Sequence, residues 1–373
     1  MQNKENSNEN LHVSNGVNFW QQIRQQKKPF FALAPMADVT DPAFRVLIAR
    51  YGKPDVMWTE FVSANGLNSP GRAVLQRDLD FSEAERPIVA QLFSSDATNM
   101  EASAKLCAEL GFDGVDINMG CPDKSIEKQG AGAAMIKTLD ISADIIQAVK
   151  DGIRDAGKDI PVSVKTRVGY NKIEIESWIP HLLAQDIATL TVHARTRKEM
   201  SSVPARWEHV KEVVKIRDKM GVKTKIIGNG DVVDIAHGYE LAKQTGCDGI
   251  MIGRAVFGNP WIFDHDRVVV KRPKKMNVLL AKILPRKWMK KLQGSDRYTI
   301  SEVPIKEKLQ TLVEHTKLYD QLLGDVKSFS IMKKHYKAYV NGFPGAKELR
   351  VKLMDTNNAE EVENIINEFL NNA

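Results

Sequence analysis

The chain has 373 residues, 43% of them hydrophobic and 27% charged, with a net charge of +6 and three cysteines. These proportions are those of a folded globular protein and not of a disordered chain; no apolar run reaches the roughly 18 residues of a spanning helix, and an odd cysteine count without CxxC spacing argues against a disulfide framework or a zinc site. A length beyond the roughly 250 to 300 residues at which one core stops growing predicts a large unit and a small one.

Residues 1–28 are polar and rich in Asn and Gln, without the apolar stretch of a secretory signal, so a polar extension on a cytoplasmic protein is expected. From residue 31 onward, short β-branched runs alternate with helical stretches, the pattern of repeated βα units. Strands are predicted at FALAP (31–35), DVMWTE (55–60), PIVAQLF (87–93), DGVDIN (113–118), VSVKTR (162–167), TLTVHA (189–194), KIIGNG (225–230) and DGIMIG (248–253). Amphipathic helices fit between them at 98–110, 141–154, 207–219 and 234–245. Eight strands with their helices match a closed (β/α)8 TIM barrel of the α/β class, assigned to residues 29–265. A doubly wound open sheet is the rival. The barrel is favoured because Asn118, Lys165, Arg167, His193, Asn229, Gly230, Gly253 and Arg254 fall at or just past the carboxyl ends of their strands. In a barrel those ends converge on one face, where the active site is built.

Residues 266–300 hold 11 Lys/Arg against 2 Asp/Glu, so the basicity is concentrated there and the remainder is slightly acidic. As a basic insertion or linker it suits a polyanion as well as it suits a solvated face. Its apolar patches leave open an RNA-facing helix, a membrane-surface helix and a plain insertion packed on the barrel. Residues 301–373 read as a small C-terminal helical domain. Within 325–343, Phe329, Met332, Tyr336, Tyr339 and Val340 share one side of a 3.6-residue period, while Lys327, Lys333, Lys334 and Lys337 share the other. One face is expected to be core and the other an RNA-binding lysine stripe.

The glycine-rich ends of the seventh and eighth strands, IIGNGDV and MIGRAVFGNP, stand where a barrel commonly binds phosphate through backbone N–H groups. Arg254 adds a guanidinium that can pair with two phosphate oxygens, although Gly228, Gly230 and Gly253 could also serve only to turn the chain. Lys165 and His193 should reach the same mouth, an arrangement that fits flavin mononucleotide beside a lysine cation. Cys121 follows the fourth strand in INMGCP, between Gly120 and Pro122, whereas Cys107 and Cys247 read as buried small hydrophobes. A thiol with an ordinary pKa near 8.5 is mostly protonated at neutral pH and can serve as an acid as well as a nucleophile.

The ordered set APMADVTDPAFR, the Gln of AQLF, DINMGCP, VKTRVGY, VHARTR, GNGDV and GRAVFGNPWIF resembles the tRNA-dihydrouridine synthases. KKHYKAYVNGFPGAKELR is similar to their C-terminal helical domain, so the resemblance spans about 30–263 and 305–369. It implies an FMN-binding barrel with Pro35, Met36 and Ala37 against the ring and Gln91 on its edge. Lys165 and His193 would also touch the flavin, while Asn229, Gly230, Gly253 and Arg254 would hold its phosphate and Asn118 and Arg167 would face the uracil. By the same resemblance NADPH reduces FMN, hydride passes to carbon 6 of a tRNA uridine, and Cys121 supplies the proton at carbon 5. The target base would have to leave its stack. No metal, no membrane insertion and a monomer are expected. MADVTD and HARTR depart at Asp38 and Ala194 from the commoner MAGVTD and HGRTR, and the 266–300 segment has no family counterpart. Two alternatives stay open: a dihydroorotate dehydrogenase-like barrel acting on a free pyrimidine, and a non-catalytic RNA-binding barrel.

Overall fold

A computed structural model describes residues 19–24, 29–271 and 297–372. Its eight parallel strands are β1 (Phe30–Leu33), β2 (Met57–Ser63), β3 (Ile88–Phe93), β4 (Gly114–Met119), β5 (Val162–Arg167), β6 (Thr189–His193), β7 (Lys225–Asn229) and β8 (Gly249–Ile252). Strands β2 to β8 pair in sequence order and β8 pairs with β1. A bridge between Ala32 and Val56, with the Leu33 N–H donating to Val56 O at 3.2 Å, brings β1 back to the start of β2 and closes the barrel. The expected (β/α)8 barrel is the fold of the chain, and all eight predicted strands are present. Parallel strands covered on both faces read as nearly continuous apolar runs, which is why they are legible.

Alternation along the strands sends Phe31, Leu33, Ile117, Val164, Val192, Ile226 and Ile250 outward into the core beneath the helices. The inward set is apolar at the amino end, with Phe30, Ala32, Trp58, Val89, Ile227 and Met251. Towards the carboxyl end it turns polar with Gln91, Asp116, Asn118, Ser163 and Lys165. The helices Ala97–Glu109, Leu139–Asp155, Trp207–Met220 and Ile235–Thr245 match those predicted. Within the expected polar extension, residues 19–24 are described and pack on the barrel. Phe19–Arg24 forms a helix whose Trp20 ring lies 5.2 Å from Phe30 and 6.3 Å from Trp58, plugging the amino end of the barrel. Residues 1–18 and 25–28 lie outside the described residues.

After β8 the chain forms a ribbon, with Val268–Lys271 antiparallel to Arg297–Ile300. The basic stretch between them, 272–296, lies outside the described residues. Four helices follow, Ile305–Leu323, Lys333–Tyr339, Ala346–Met354 and Ala359–Asn372, around a separate core that includes Leu309, Leu312, Tyr319, Met332, Tyr336, Tyr339, Leu353 and Ile366.

This helical unit docks on the barrel beside β1 and β2. Phe44 stacks on His315 at 4.8 Å, and Tyr51 Oη donates to Glu314 at 2.6 Å. Gly258, at φ 62°, approaches so closely that a Cβ there would stand 2.5 Å from the carbonyl carbon of Ala338. The lysine stripe is corrected in part. Lys327 points inward, with Nζ 3.2 Å from Glu60 and 2.6 Å from Asp78, because residues 324–326 form a turn, 327–328 are irregular and Phe329–Met332 is a 3-10 helix, so the 3.6-residue period does not reach it. Lys334 pairs with Asp38 at 2.9 Å, whereas Lys337 is exposed and Lys333 half-buried.

Burial pushes the Glu60 carboxyl up to about 7 against the pull of Lys327. It also works against the Lys327 charge, but Glu60 and Asp78 outweigh it and hold that ammonium above its usual range. Lys327→Met therefore leaves buried carboxylates without a counter-charge, and a loss of about 3 to 5 kcal/mol is expected in denaturant unfolding. Adding Glu60→Gln should recover part of that loss, and additive destabilisation by the two changes would show that the pair is uncoupled.

Candidate active site

The loop after β4 is held from behind by one side chain. Asn118 Oδ1 accepts the N–H groups of Gly120 at 3.1 Å and Cys121 at 2.9 Å, while its Nδ2 donates to Gln91 Oε1 at 3.0 Å. Gln91 Nε2 in turn donates to Asp116 Oδ2 at 2.6 Å. From the other side, Arg167 Nε donates to Gly120 O at 2.7 Å and its Nη1 to the carbonyls of Thr196 and Met200, each at 3.1 Å. Asn118 and Arg167, expected to face a uracil, are placed to hold the loop that presents Cys121. That cysteine is half-buried, whereas Cys107 and Cys247 are buried, as expected. Burial raises the Cys121 thiol above its ordinary value, and Lys165 and Arg167 only partly offset this, so it remains protonated at neutral pH.

Strand register aligns the remaining groups: Asn118 lies beside Lys165, Arg167 beside His193, and His193 beside Asn229. Lys165 Nζ makes no hydrogen bond among the described residues, and burial with the neighbouring Arg167 charge lowers its pKa to about 8. His193 is held well below its usual range by burial and by the charges of Arg167, Lys165, Arg195 and Arg254, so its ring is neutral. A guanidinium only donates. The 3.1 Å contact from Arg195 Nη1 therefore makes His193 Nε2 the acceptor and leaves the proton on Nδ1.

At the ends of β7 and β8, Asn229 Nδ2 donates to Met251 O at 2.9 Å, fixing the two strand ends together. Gly230, at φ 127°, sits where a Cβ would come within 2.8 Å of Ala205 Cβ, so the turn is restricted to glycine. A Cβ on Gly253 would meet only Ala34 and Met36, at 3.6 and 3.7 Å, so this glycine leaves its backbone approachable. Arg254 is exposed and shares Asp231 with Arg195: its Nη2 lies 2.8 Å from Asp231 Oδ1, and Arg195 Nη2 donates to Oδ2. Around the mouth, Pro35 is buried, Met36 half-buried and Ala37 exposed. The next residue, Asp38, at φ 53°, donates its N–H to Glu60 Oε1.

The structure thus gathers Asn118, Cys121, Lys165, Arg167, His193, Asn229, Gly230 and Gly253 on one end of the barrel. Asp116, Arg195, Asp231 and Glu60 join them and were not singled out in the sequence. Three of these stand inside the quoted motifs DINMGCP, VHARTR and GNGDV; Glu60 carried no comparable signal. Donors at Lys165 Nζ and His193 Nδ1 that have no hydrogen bond among the described residues, the exposed guanidinium of Arg254 and the open backbone at Gly253 fit a flat, phosphate-bearing cofactor. Among the described residues no cluster of His, Cys, Asp or Glu is placed to hold a metal, and no helix is long and apolar enough to cross a membrane.

The chain matches the family described as dihydrouridine synthase over residues 32–373. It is 38% identical over 355 residues to a probable tRNA-dihydrouridine synthase 2 of Bacillus subtilis (strain 168), covering 94% of this chain and 96% of the relative. A probable tRNA-dihydrouridine synthase of Staphylococcus aureus (strain MRSA252) is 37% identical, covering 94% and 95%. A solved structure of morphinone reductase is similar at 13% identity and a TM-score of 0.44, covering 64% of this chain and 85% of that one, too distant to bear on function.

One thiol of the native protein should react with iodoacetamide, and peptide mapping should place it at Cys121. Because burial raises that thiol above its ordinary value, the rate should still be climbing past pH 9. A rate that levels off below pH 8 would mean a thiolate nucleophile instead of an acid.

Proposed function

Since the chain belongs to the dihydrouridine synthase family, we infer that it is a tRNA-dihydrouridine synthase, reducing the 5,6 double bond of particular uridines in tRNA. The observation that carries the chemistry is the placement of Cys121 at the carboxyl end of the barrel, its loop held by Asn118 and Arg167, with Lys165 next to Asn118 in the strand register. FMN is the cofactor proposed for that end, and when bound it supplies the hydride that it has received from NADPH. Its phosphate is assigned to Asn229, Gly230, Gly253 and Arg254, and its ring to Pro35, Met36, Ala37, Gln91, Lys165 and His193.

Hydride arriving at carbon 6 of the uracil leaves an enolate-like charge towards carbon 5. Cys121 holds its proton at Sγ and delivers it to carbon 5, which completes the saturated ring. Lys165 holds a positive charge at the same mouth and favours the anionic character that develops there. Asn118 and Arg167 orient the Cys121 loop, and their remaining edges face the uracil. A stacked uridine reaches this depth only by leaving the RNA stack. For the RNA backbone, Lys333, Lys334 and Lys337 stay in the proposed footprint and Lys327 leaves it, since its charge is spent on Glu60 and Asp78. The barrel at 29–265 is the catalytic unit in this reading and the helices of 301–373 the tRNA-binding one, with 266–300 as an insertion between them.

The deciding experiment incubates the purified protein with NADPH and tRNA transcribed without modifications, then measures dihydrouridine by mass spectrometry. Product on tRNA and none on free uracil is expected, and no product on any tRNA would overturn the function. Cys121→Ala should bind FMN and accept electrons from NADPH, yet lose about 10² to 10⁴ in the rate of uridine reduction by pre-reduced enzyme. A wild-type single-turnover rate would remove Cys121 from the mechanism. Exchanging Lys333 and Lys337 for Gln should weaken tRNA binding and flatten its logarithmic salt dependence by about 0.9 per lost phosphate contact, with NADPH oxidation untouched. An unchanged salt slope places the RNA elsewhere.

A further inference from the structure

The carboxylate of Asp116 lies one residue pair below Asn118 on the inner face of β4, fully buried. Its Oδ1 accepts from Ser163 Oγ at 2.6 Å and its Oδ2 from Gln91 Nε2 at 2.6 Å. Gln91 Oε1 then accepts from Asn118 Nδ2, and Asn118 Oδ1 accepts from the Cys121 N–H at 2.9 Å. Every link in this chain has the same polarity. A carboxylate can only accept, so the adjacent amide must present its NH2 to it. That choice turns the Gln91 oxygen towards Asn118 and, in turn, the Asn118 oxygen towards the loop. A backbone N–H can only donate, so both ends of the chain demand the same setting of the two amides. Were Gln91 turned the other way, two donors would face each other in a buried site, at the cost of an unsatisfied polar group.

We propose that Asp116 is a positioning residue for the proton donor: through Gln91 and Asn118 it sets the hydrogen bond that holds the Cys121 backbone in place. This rests on the reading of Cys121 as the donor. Burial pushes the Asp116 carboxyl up to about 6, and the bonds from Ser163 and Gln91 with the nearby Lys165 charge pull the other way, so it accepts as an anion at neutral pH. Asp116 itself touches the loop nowhere in this chain of contacts; it acts through the two amides.

An exchange of groups tests the idea on the FMN-loaded enzyme. Gln91→Glu sets two carboxyl groups face to face; such a buried pair shares one proton at neutral pH, so the variants are compared at a pH above the titration of the pair, where both are ionised and no donor stands between them. Adding Asp116→Asn returns a donor to that contact: the new amide at position 116 donates to the carboxylate at position 91, that carboxylate accepts from Asn118, and Asn118 again accepts from Cys121. Asp116→Asn alone keeps an oxygen for Gln91, with its NH2 towards the Ser163 hydroxyl. The readout is the amide resonance of Cys121 in protein labelled with 15N-cysteine, together with its alkylation rate. In Gln91→Glu the amide proton should shift upfield and alkylation should change by about tenfold, and both should return towards wild type in the double variant. The turnover number for uridine reduction should follow the same order while the KM for tRNA stays level. A variant that loses cooperative unfolding is replaced by Asn118→Ser, which shortens the link to the loop and should move the same resonance. A Cys121 amide that stays in place throughout, or that moves in Gln91→Glu and is not restored in the double variant, overturns the positioning role. Because the resonance needs no catalysis, that outcome is distinct from a failure of Cys121→Ala to lose activity, which would instead sink the proton-donor reading.

Discussion

A buried amide or carboxylate on the inner face of a closed barrel is costly unless its neighbours across the strands satisfy it. That constraint organises the carboxyl half of this barrel. Strand register brings Gln91 beside Asp116 and Asn118 beside Lys165, and Asp116, Gln91 and Asn118 bond to one another, to Ser163 and to the N–H groups of the loop. The loop after β4 is short and begins inside this network, so Cys121 inherits its position from the barrel wall. Arg167 closes the arrangement from β5 by binding the Gly120 carbonyl and two carbonyls of the segment after β6.

Burial also sets the protonation states. Desolvation raises the Cys121 thiol and lowers the Lys165 ammonium, and the cations that surround His193 reinforce burial in keeping its ring neutral. The result is a proton-bearing thiol and a neutral imidazole near a lysine with its pKa lowered to about 8, an environment suited to proton transfer near neutral pH. Arg195 and Asp231 belong to the same account, because Arg195 fixes the His193 tautomer and Asp231 ties Arg195 to Arg254.

The helical unit is joined to the site by charge as well as by packing. Glu60, beneath the loop after β1, receives the Asp38 N–H on one oxygen and Lys327 of the helical unit on the other, while Lys334 reaches the Asp38 side chain. The residues that follow Pro35, Met36 and Ala37 are therefore braced by the part of the chain proposed to meet RNA. The Asp38 departure from the commoner glycine fits this geometry: the residue keeps the positive φ that glycine adopts easily, and its carboxylate gives Lys334 a partner.

How much of this was legible depended on range. Eight apolar runs, the helical spacing between them and the polar residues at the strand ends were enough for the barrel and for the end that carries the site, since period and turn chemistry are local properties. Cys121 could be separated from Cys107 and Cys247 for the same reason, by its loop against their apolar surroundings. Lys327 could not be placed, because its partner Glu60 is 267 residues away in the chain and the turn before it breaks the helical phase. Trp20 was hidden inside a polar extension because only the closed barrel offers it Phe30 and Trp58 to cover. The sequence by itself determined which end of the barrel gathers the polar strand ends; which side chains join them there, which touch and which hold the others in place were decided by the tertiary structure, because hydrogen bonding and desolvation act between residues that the chain brings together only when the sheet closes.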